Sequence, residues 1–461
     1  MRWSPGSGPT RSPADPIAVL ICADAFVPGI VPPRALAWTV DRLCEDAEAA
    51  AVAARGSGCD RVVLGLCDCR PSANQVEALI GAGIDPFGIE TVALARRSEA
   101  EAAALLAGAV AKLARLAPGE SGRLAADAGQ LSRRALLMLR APATRDPVAI
   151  IDPAVCVGSR RCGNCARDCP EEAIDLSGSH PAVRGGACTA CGRCVTACPV
   201  QAIHLSGAAP AQIEAQLEVL LTVFERIVLA CRSARARAPA GWGLVELPTL
   251  SVLTPGWLLG LRARGVEIRL AGCGGACCAR AAGVLALSER VELSATYVAM
   301  TAPLALREPR ATVRALAGAA DPRLCVESEV SPLGLLDLDP DCCTLCGACT
   351  AACPTGAIVR GDSGADASLV HDARSCTGCG LCVRACPEGA LTLRLGLDAE
   401  RLSAGPVTVM TAATGACTRC GQRLEPLPLR RRVDRLLGGS GEPAQLCAAC
   451  SARGAPAPSL Q

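Results

Sequence analysis

From Ile17 the chain alternates short β-rich runs with longer Ala- and Leu-rich stretches of helical period. The runs are IAVLIC, a helix across Arg34 to Arg55, RVVLGLC, a helix from Ala73, IETVALA and a helix from Glu99. This alternation predicts an α/β domain over residues 16–118, behind a flexible Pro-, Gly- and Ser-rich tail over 1–15. A Gly-containing, Ala-rich helical connector over 119–147 comes next, its helix running through Leu139 and ending before Pro142. A second α/β pattern over 210–330 consists of the amphipathic helix IEAQLEVLLTVF, the strands RIVLAC and LVELP, the helix GWLLGLRARG and the strand VEIRLAGC.

Between and after these domains periodicity gives way to a repeat. CPEEAI at Cys169, CPVQAI at Cys198, CPTGAI at Cys353 and CPEGAL at Cys386 share the form Cys-Pro-x-x-Ala-aliphatic. They fall in pairs, one within 148–208 and one within 335–398, and a last segment over 405–461 carries four more cysteines.

Composition changes the picture. The chain has 31 cysteines among 461 residues but only one tyrosine, three phenylalanines and four tryptophans, so ordinary aromatic packing supplies little of its cores. Spacing favours metal-binding thiols over a disulfide scaffold. The N-terminus lacks the apolar run of a signal peptide, and no stretch approaches 18 uncharged apolar residues, so the expectation is a cytoplasmic protein without a membrane span. A net charge of +2 gives no footprint for nucleic acid, and the basic run PLRRRVDR reads as a solvated helix face.

Cys343, Cys346, Cys349 and Cys353-Pro354, and Cys376, Cys379, Cys382 and Cys386-Pro387, both match Cys-x2-Cys-x2-Cys-x3-Cys-Pro, the 4Fe-4S motif of bacterial ferredoxins. The fourth cysteine of each motif serves the other cluster. One cluster is therefore expected on Cys343, Cys346, Cys349 and Cys386, and another on Cys376, Cys379, Cys382 and Cys353. In the earlier pair, Cys188, Cys191 and Cys194 take Cys169, and Cys156, Cys162 and Cys165 take Cys198. Counting from the Asp-Pro before each first ligand leaves Cys342 surplus and makes Ser159, Arg160 and Arg161 an insertion between Cys156 and Cys162.

Cys22 and Cys67 each end an expected strand, where ligands of open α/β sheets gather; buried thiols packing as small hydrophobes are the alternative. VLICADAFVPGIV, RLCEDAEA and RVVLGLCDCRPSANQVEALIGAGIDPFGIE resemble the N-terminal domain of the flavin-bearing subunit of heterodisulfide reductases. That resemblance implies an additional iron–sulfur cluster on Cys22, Cys44 and Cys67, with Cys59 or Cys69 as a fourth ligand. The family's Cys-His-Cys-Gly is CADA here, and its flavin-binding G-x-G-x-x-G has no counterpart, so no flavin is expected in this chain. The segment from RIVLAC to GCGGACC resembles the delta subunit of methyl-viologen-reducing hydrogenases. This implies a 2Fe-2S centre and a docking role, with Cys231, Cys273 and Cys278 matching family cysteines and Cys277 standing in where LPTLS lacks one. A docking domain that has lost its cluster is the other reading.

Cys417, Cys420, Cys447 and Cys450 have the form of a zinc ribbon or a rubredoxin-like single-iron site, and the absence of aromatics favours structural zinc. His180, His204 and His371 make no Rieske-type pair and are expected to be hydrogen-bonded structural residues.

The fold class expected is multidomain: two α/β domains alternating with two α+β ferredoxin-like domains, plus a small C-terminal zinc-ribbon-like module. No catalytic residue set stands out. The expected function is an electron-transfer subunit of a cytoplasmic oxidoreductase complex, relaying electrons through at least four 4Fe-4S clusters. Its partners would be flavin, hydrogenase, formate dehydrogenase or heterodisulfide reductase type subunits. Two alternatives stay open: disulfide or sulfur reduction by cysteines of the α/β domains, and a metal-containing assembly or sensor adaptor.

Overall fold

The computed structural model describes residues 16–25, 30, 32, 35–67, 71–116, 147–291, 313, 323–363, 365–440 and 445–452. Cys69 and most of the 119–147 connector lie outside these residues, as does the side chain of Cys277. The chain divides into two compact units, residues 1–313 and 314–461.

The first unit begins with a parallel sheet of β1 (Ile17–Cys22), β2 (Ala35–Val40), β3 (Val62–Leu66) and β4 (Ile89–Ala93), in the order β2-β1-β3-β4. β1 and β3 are apolar and buried along their whole length because helices cover both faces. Those helices are α1 (Ala47–Ser57), α2 (Ala73–Gly81) and α3 (Glu99–Ala114). Asp46 caps α1, and Ser72 with Gln75 and Ser98 with Glu101 form capping boxes on α2 and α3. One expectation fails: Ala35 to Val40 is not helix but an edge strand paired residue by residue with β1. Tertiary pairing overrides the helical propensity of its alanines and leucine, and Trp38, Thr39 and Val40 suit a pleated surface.

The first ferredoxin-like region has little sheet of its own. β5 (Ala149–Ile151) pairs antiparallel with β8 (Ile203–Leu205), and β6 (Ile174–Asp175) with β7 (Ala182–Val183). Its two short helices are α4 (Asn164–Arg167) and α5 (Arg193–Ala197).

Next comes α6 (Pro210–Leu220), then a second parallel sheet of β9 (Arg226–Cys231), β10 (Gly243–Leu247) and β11 (Glu267–Ala271), in the order β10-β9-β11. α7 (Pro255–Arg262) and α8 (Ala276–Arg290) complete this domain. α3 and α6 meet closely at Gly108, where a Cβ would stand 3.2 Å from Leu220. Arg97 further ties the two α/β domains together, donating to the carbonyls of Ala238, Pro239 and Trp242 at 2.8–3.1 Å.

In the second unit β12 (Cys325–Glu327), β13 (Gly334–Leu338) and β16 (Leu391–Asp398) form one antiparallel sheet. β14 (Ile358–Ser363), β15 (Asp366–Asp372) and β17 (Pro406–Ala413) form another. Cys325 to Glu327, read from sequence as the end of the second α/β domain, therefore belongs to the sheet of the second ferredoxin-like region. β17, read as the start of the C-terminal module, likewise adds to β15. The helices of this unit are α9 (Ala348–Ala352), α10 (Leu381–Ala385), α11 (Ala399–Ala404), α12 (Leu427–Leu436) and α13 (Ala448–Ala452). Among the described residues no helix is long and apolar enough to cross a membrane.

Candidate metal centres

Each ferredoxin-like motif folds by one local rule. A glycine follows the second cysteine and takes a left-handed conformation, at Gly163, Gly192, Gly347 and Gly380 with φ between +69° and +79°. The helix that starts immediately after it, α4, α5, α9 or α10, carries the third cysteine on its first turn. The fourth cysteine caps the end of α5, α9 and α10 and lies one residue beyond the Asp168 cap of α4, and the following proline cannot continue the helix.

The tail of the motif has a purpose the sequence does not announce. The backbone N–H of its alanine donates to the sulfur of the fourth cysteine, Ala173 to Cys169 at 3.3 Å, Ala202 to Cys198 at 3.2 Å and Ala390 to Cys386 at 3.4 Å. Burial, the largest influence, pushes the Cys353 thiol up, but hydrogen bonds from the Thr355 hydroxyl and backbone, followed by those from the Ile358 and Ala357 backbone, outweigh it and hold the thiol below its ordinary value. All four alanines are buried, so a larger side chain would collide where the chain turns back on the sulfur.

These loops gather thiols from different motifs. One cavity is lined by Cys343, Cys346, Cys349 and Cys386, a second by Cys353, Cys376, Cys379 and Cys382, and a third by Cys169, Cys188, Cys191 and Cys194. In the fourth group burial pushes Cys165 up to about 11, and the charges of Cys162, Cys198 and Cys156 add to the effect. Burial likewise raises Cys194 and Cys382 to about 12, with their neighbouring thiols contributing. Thiols packed so closely out of water stay protonated unless a cation replaces their protons, which is the behaviour of metal ligands.

Buried polar atoms fit the same occupant. Thr344 and Thr377 follow first-position cysteines and line the second unit's cavities, and each has a buried hydroxyl with no hydrogen-bond partner. His371 lines the cavity of Cys353 and Cys376, and its buried Nε2 is also without a partner. Inorganic sulfide and thiolate sulfur at these positions would accept from all three.

The lengthened motif keeps the register of the others. The second residue after the first cysteine is left-handed at Ala190, Leu345 and Gly378, and Gly158, with φ +92°, holds that place after Cys156. The extra residues Ser159, Arg160 and Arg161 follow it as a turn, anchored by the Ser159 N–H donating to the Ser179 carbonyl at 2.9 Å. Arg160 and Arg161 are solvent-exposed, so water screens their charge from the thiols. Cys342 is exposed and hydrogen-bonded to Asp339, apart from the thiols that line the adjacent cavity.

Two further thiol groups lie in the α/β domains. Cys22 at the end of β1, Cys67 just beyond β3 and Cys44 before α1 bring their sulfurs within 4.8 Å of one another. The site lies where the strand order reverses between β1 and β3. The Cys67 N–H donates to the Cys44 sulfur at 3.4 Å. Cys59 stands outside the group, with its thiol donating to the Ser57 carbonyl. In the second domain Cys273 and Cys278 approach to 3.6 Å, and Cys231 lies within hydrogen-bonding reach of Cys273.

At the C-terminal end Cys417, Cys420, Cys447 and Cys450 converge with all four sulfurs within 4.8 Å. A tight knuckle closed by Gly421 (φ +71°) holds the first pair, and α13 carries Cys450. Backbone hydrogen bonds, led by one involving Cys447, hold the Cys417 thiol down to about 6. Four thiolates on two short knuckles suit a single tetrahedral metal ion.

Two family models, each described as a 4Fe-4S dicluster domain, match the chain, one over residues 342–390 and the other over 149–199. No curated protein matches it. Two such domains imply at least four 4Fe-4S clusters and support electron transfer as the chain's activity.

Proposed function

We propose that this chain is an electron-relay subunit of an oxidoreductase complex of the heterodisulfide-reductase or hydrogenase type. The observation that carries the reading is the crossed arrangement of thiols, in which each of three cavities is lined by three cysteines of one motif and the fourth cysteine of its partner. Interleaving of this kind suits two clusters per domain and wastes no ligand. We assign 4Fe-4S clusters to Cys343, Cys346, Cys349 and Cys386; Cys376, Cys379, Cys382 and Cys353; Cys188, Cys191, Cys194 and Cys169; and Cys156, Cys162, Cys165 and Cys198. Bound there, a cluster supplies one-electron chemistry. The protein's part is to hold it dry and to set its potential through N–H···S bonds such as those from Ala173, Ala202 and Ala390.

The remaining assignments rest on the same thiol geometry. Cys22, Cys44 and Cys67 form a three-thiol site suited to an additional cluster, and Cys417, Cys420, Cys447 and Cys450 a structural zinc site in a ribbon-like module. Catalytic partners with flavin, nickel, molybdenum or tungsten would perform the substrate chemistry.

Anaerobic quantification of iron, sulfide and zinc on the pure chain tests the reading, with about 16 iron atoms expected for four cubanes. Replacing Cys349 with alanine should remove one cluster's EPR signal from the reduced protein. Retention of every signal would refute the ligand sets.

A further inference from the structure

The two α/β domains place cysteines at equivalent points. In both sheets the first strand lies between the second and third, and the topological switch falls between the carboxyl ends of the first and third strands. Cys22 and Cys67 occupy those ends in one domain, and Cys231 and Cys273 in the other. The thiols nevertheless close differently. Cys22, Cys44 and Cys67 make a compact tripod, whereas among the described residues Cys231, Cys273 and Cys278 do not all lie within that 4.8 Å. They consist instead of a close pair, Cys273 and Cys278 at 3.6 Å, with Cys231 on the far side of Cys273, within hydrogen-bonding reach of it and 3.8 Å from the Pro248 carbonyl.

The pair is built by its backbone. Gly272 makes room for it, since a Cβ there would stand 2.6 Å from the Cys278 sulfur. Gly274 turns the chain at φ +79°, and the Cys273 N–H donates to the Cys278 sulfur at 3.0 Å. Cys278 sits in the first turn of the 15-residue helix α8 and is half-buried, while Cys273 on the preceding loop is exposed. An exposed thiol beside a shielded one is the asymmetry of an attacking and a resolving cysteine.

The pair also adjoins a cluster site. Cys231 touches the carbonyl of Pro248, and the next residues, Thr249 to Val252, pack on Gly192 between Cys191 and Cys194, where a Cβ would meet Thr249 at 3.0 Å and Val252 at 3.2 Å. On α8 itself Arg280 interacts electrostatically with Asp168 and Arg193, neighbours of Cys169 and Cys194.

We propose that Cys273 and Cys278 form a redox-active dithiol that exchanges electrons with the neighbouring iron–sulfur site and passes them in pairs to a disulfide substrate. This rests on the cluster assignment made above. In the oxidised form a Cys273–Cys278 disulfide accepts two electrons, delivered singly by the reduced iron–sulfur relay, and two protons; the S–S bond breaks and two thiols form. The Cys273 thiolate then attacks an external disulfide, releasing one thiol and leaving a mixed disulfide. Cys278 attacks that bond, releases the second thiol and restores the internal disulfide.

The test uses the full-length, cluster-loaded protein, equilibrated anaerobically in dithiothreitol buffers of graded oxidation, then alkylated and mapped by peptide mass spectrometry. The expected result is a Cys273–Cys278 link that appears and disappears as one two-electron step and is lost in Cys273→Ser and in Cys278→Ser, both with wild-type iron content. Failure to link across the whole range would overturn the proposal, and so would loss of iron in Cys273→Ser, which would make the pair metal ligands. The link should also be reduced by a dithionite-poised donor in the wild type but not in Cys191→Ser; equal reduction in both would sever the pair from the cluster. Failure of the relay reading is separable, because it would appear as missing iron in the wild type before any thiol is mapped.

Discussion

The two ferredoxin-type regions bind by the same arithmetic of thiols but are supported in opposite ways. In the second, strands of up to eight residues build two three-stranded sheets around the thiols, and Asp337 sits between Arg394 and Arg401 at 2.9 and 2.8 Å across that framework. In the first the strands are only two or three residues long. What holds it is its neighbours: Phe87 from the first α/β domain against Gly207, and Thr249, Ser251 and Val252 from the second against Gly192. A motif that folds around metal therefore tolerates a poor scaffold if flanking domains complete its walls.

The largest effect should come from removing the metal. After chelation of iron, hydrogen exchange should show the amides of β5, β6, β7 and β8 losing protection almost completely, while those of β14, β15 and β17 keep part of theirs. Equal loss in both regions would mean that the longer strands contribute nothing without clusters. Equal retention would mean that the flanking domains stabilise the first region as well as sheets do the second.

A smaller effect separates the regions at one backbone position. The third residue after each fourth cysteine is left-handed in all four motifs, as glycine at Gly356 and Gly389 but as Glu172 and Gln201 in the first region. A Cβ on either glycine would meet nothing within 4 Å, so Gly356→Ala and Gly389→Ala test backbone strain alone and should each cost about 1–2 kcal/mol. Glu172→Gly and Gln201→Gly relieve that strain but restore chain entropy of about 0.5–1 kcal/mol, leaving a change near zero or slightly stabilising. Anaerobic unfolding of the four variants measures both signs, and matching destabilisation by all four would erase the distinction.

That position shows where the sequence is readable and where it is not. Cysteine spacing locates the thiols that line the cavities, because closely spaced ligands leave an exact count in the chain. The same count places the insertion at Ser159 to Arg161, where the structure has its extra turn. Backbone conformation leaves no such mark when the residue is not glycine, so Glu172 and Gln201 look ordinary in the sequence. Ala35 to Val40 misleads for a different reason: its composition favours helix, and only pairing with β1 makes it a strand. α8 escapes notice because GCGGACC reads as a turn, although the helix starts directly after those glycines at Ala276. The alanine of Cys-Pro-x-x-Ala is visible as a repeat, but its use as an N–H donor to sulfur requires the folded loop.

The smallest expected difference lies in pH dependence, at His371 in the second region. The residue pairs with Ile358 between β15 and β14, and it is 7% exposed. Burial pushes its imidazole below the ordinary 6.5, outweighing the opposite pull of Asp372. As pH falls through 6.5 the unfolded chain takes up a proton that the folded chain refuses, so stability present above that value declines and levels off only below the depressed folded value. His371→Leu should remove this component, making its unfolding midpoint less sensitive than wild type between about pH 7.5 and 5.5, a window set by the imidazole range. Iron content followed across the same pH range in both proteins separates loss of the cluster from this protonation effect. An identical slope in the two would place the acid sensitivity of this region in the thiols themselves rather than in the histidine beside them.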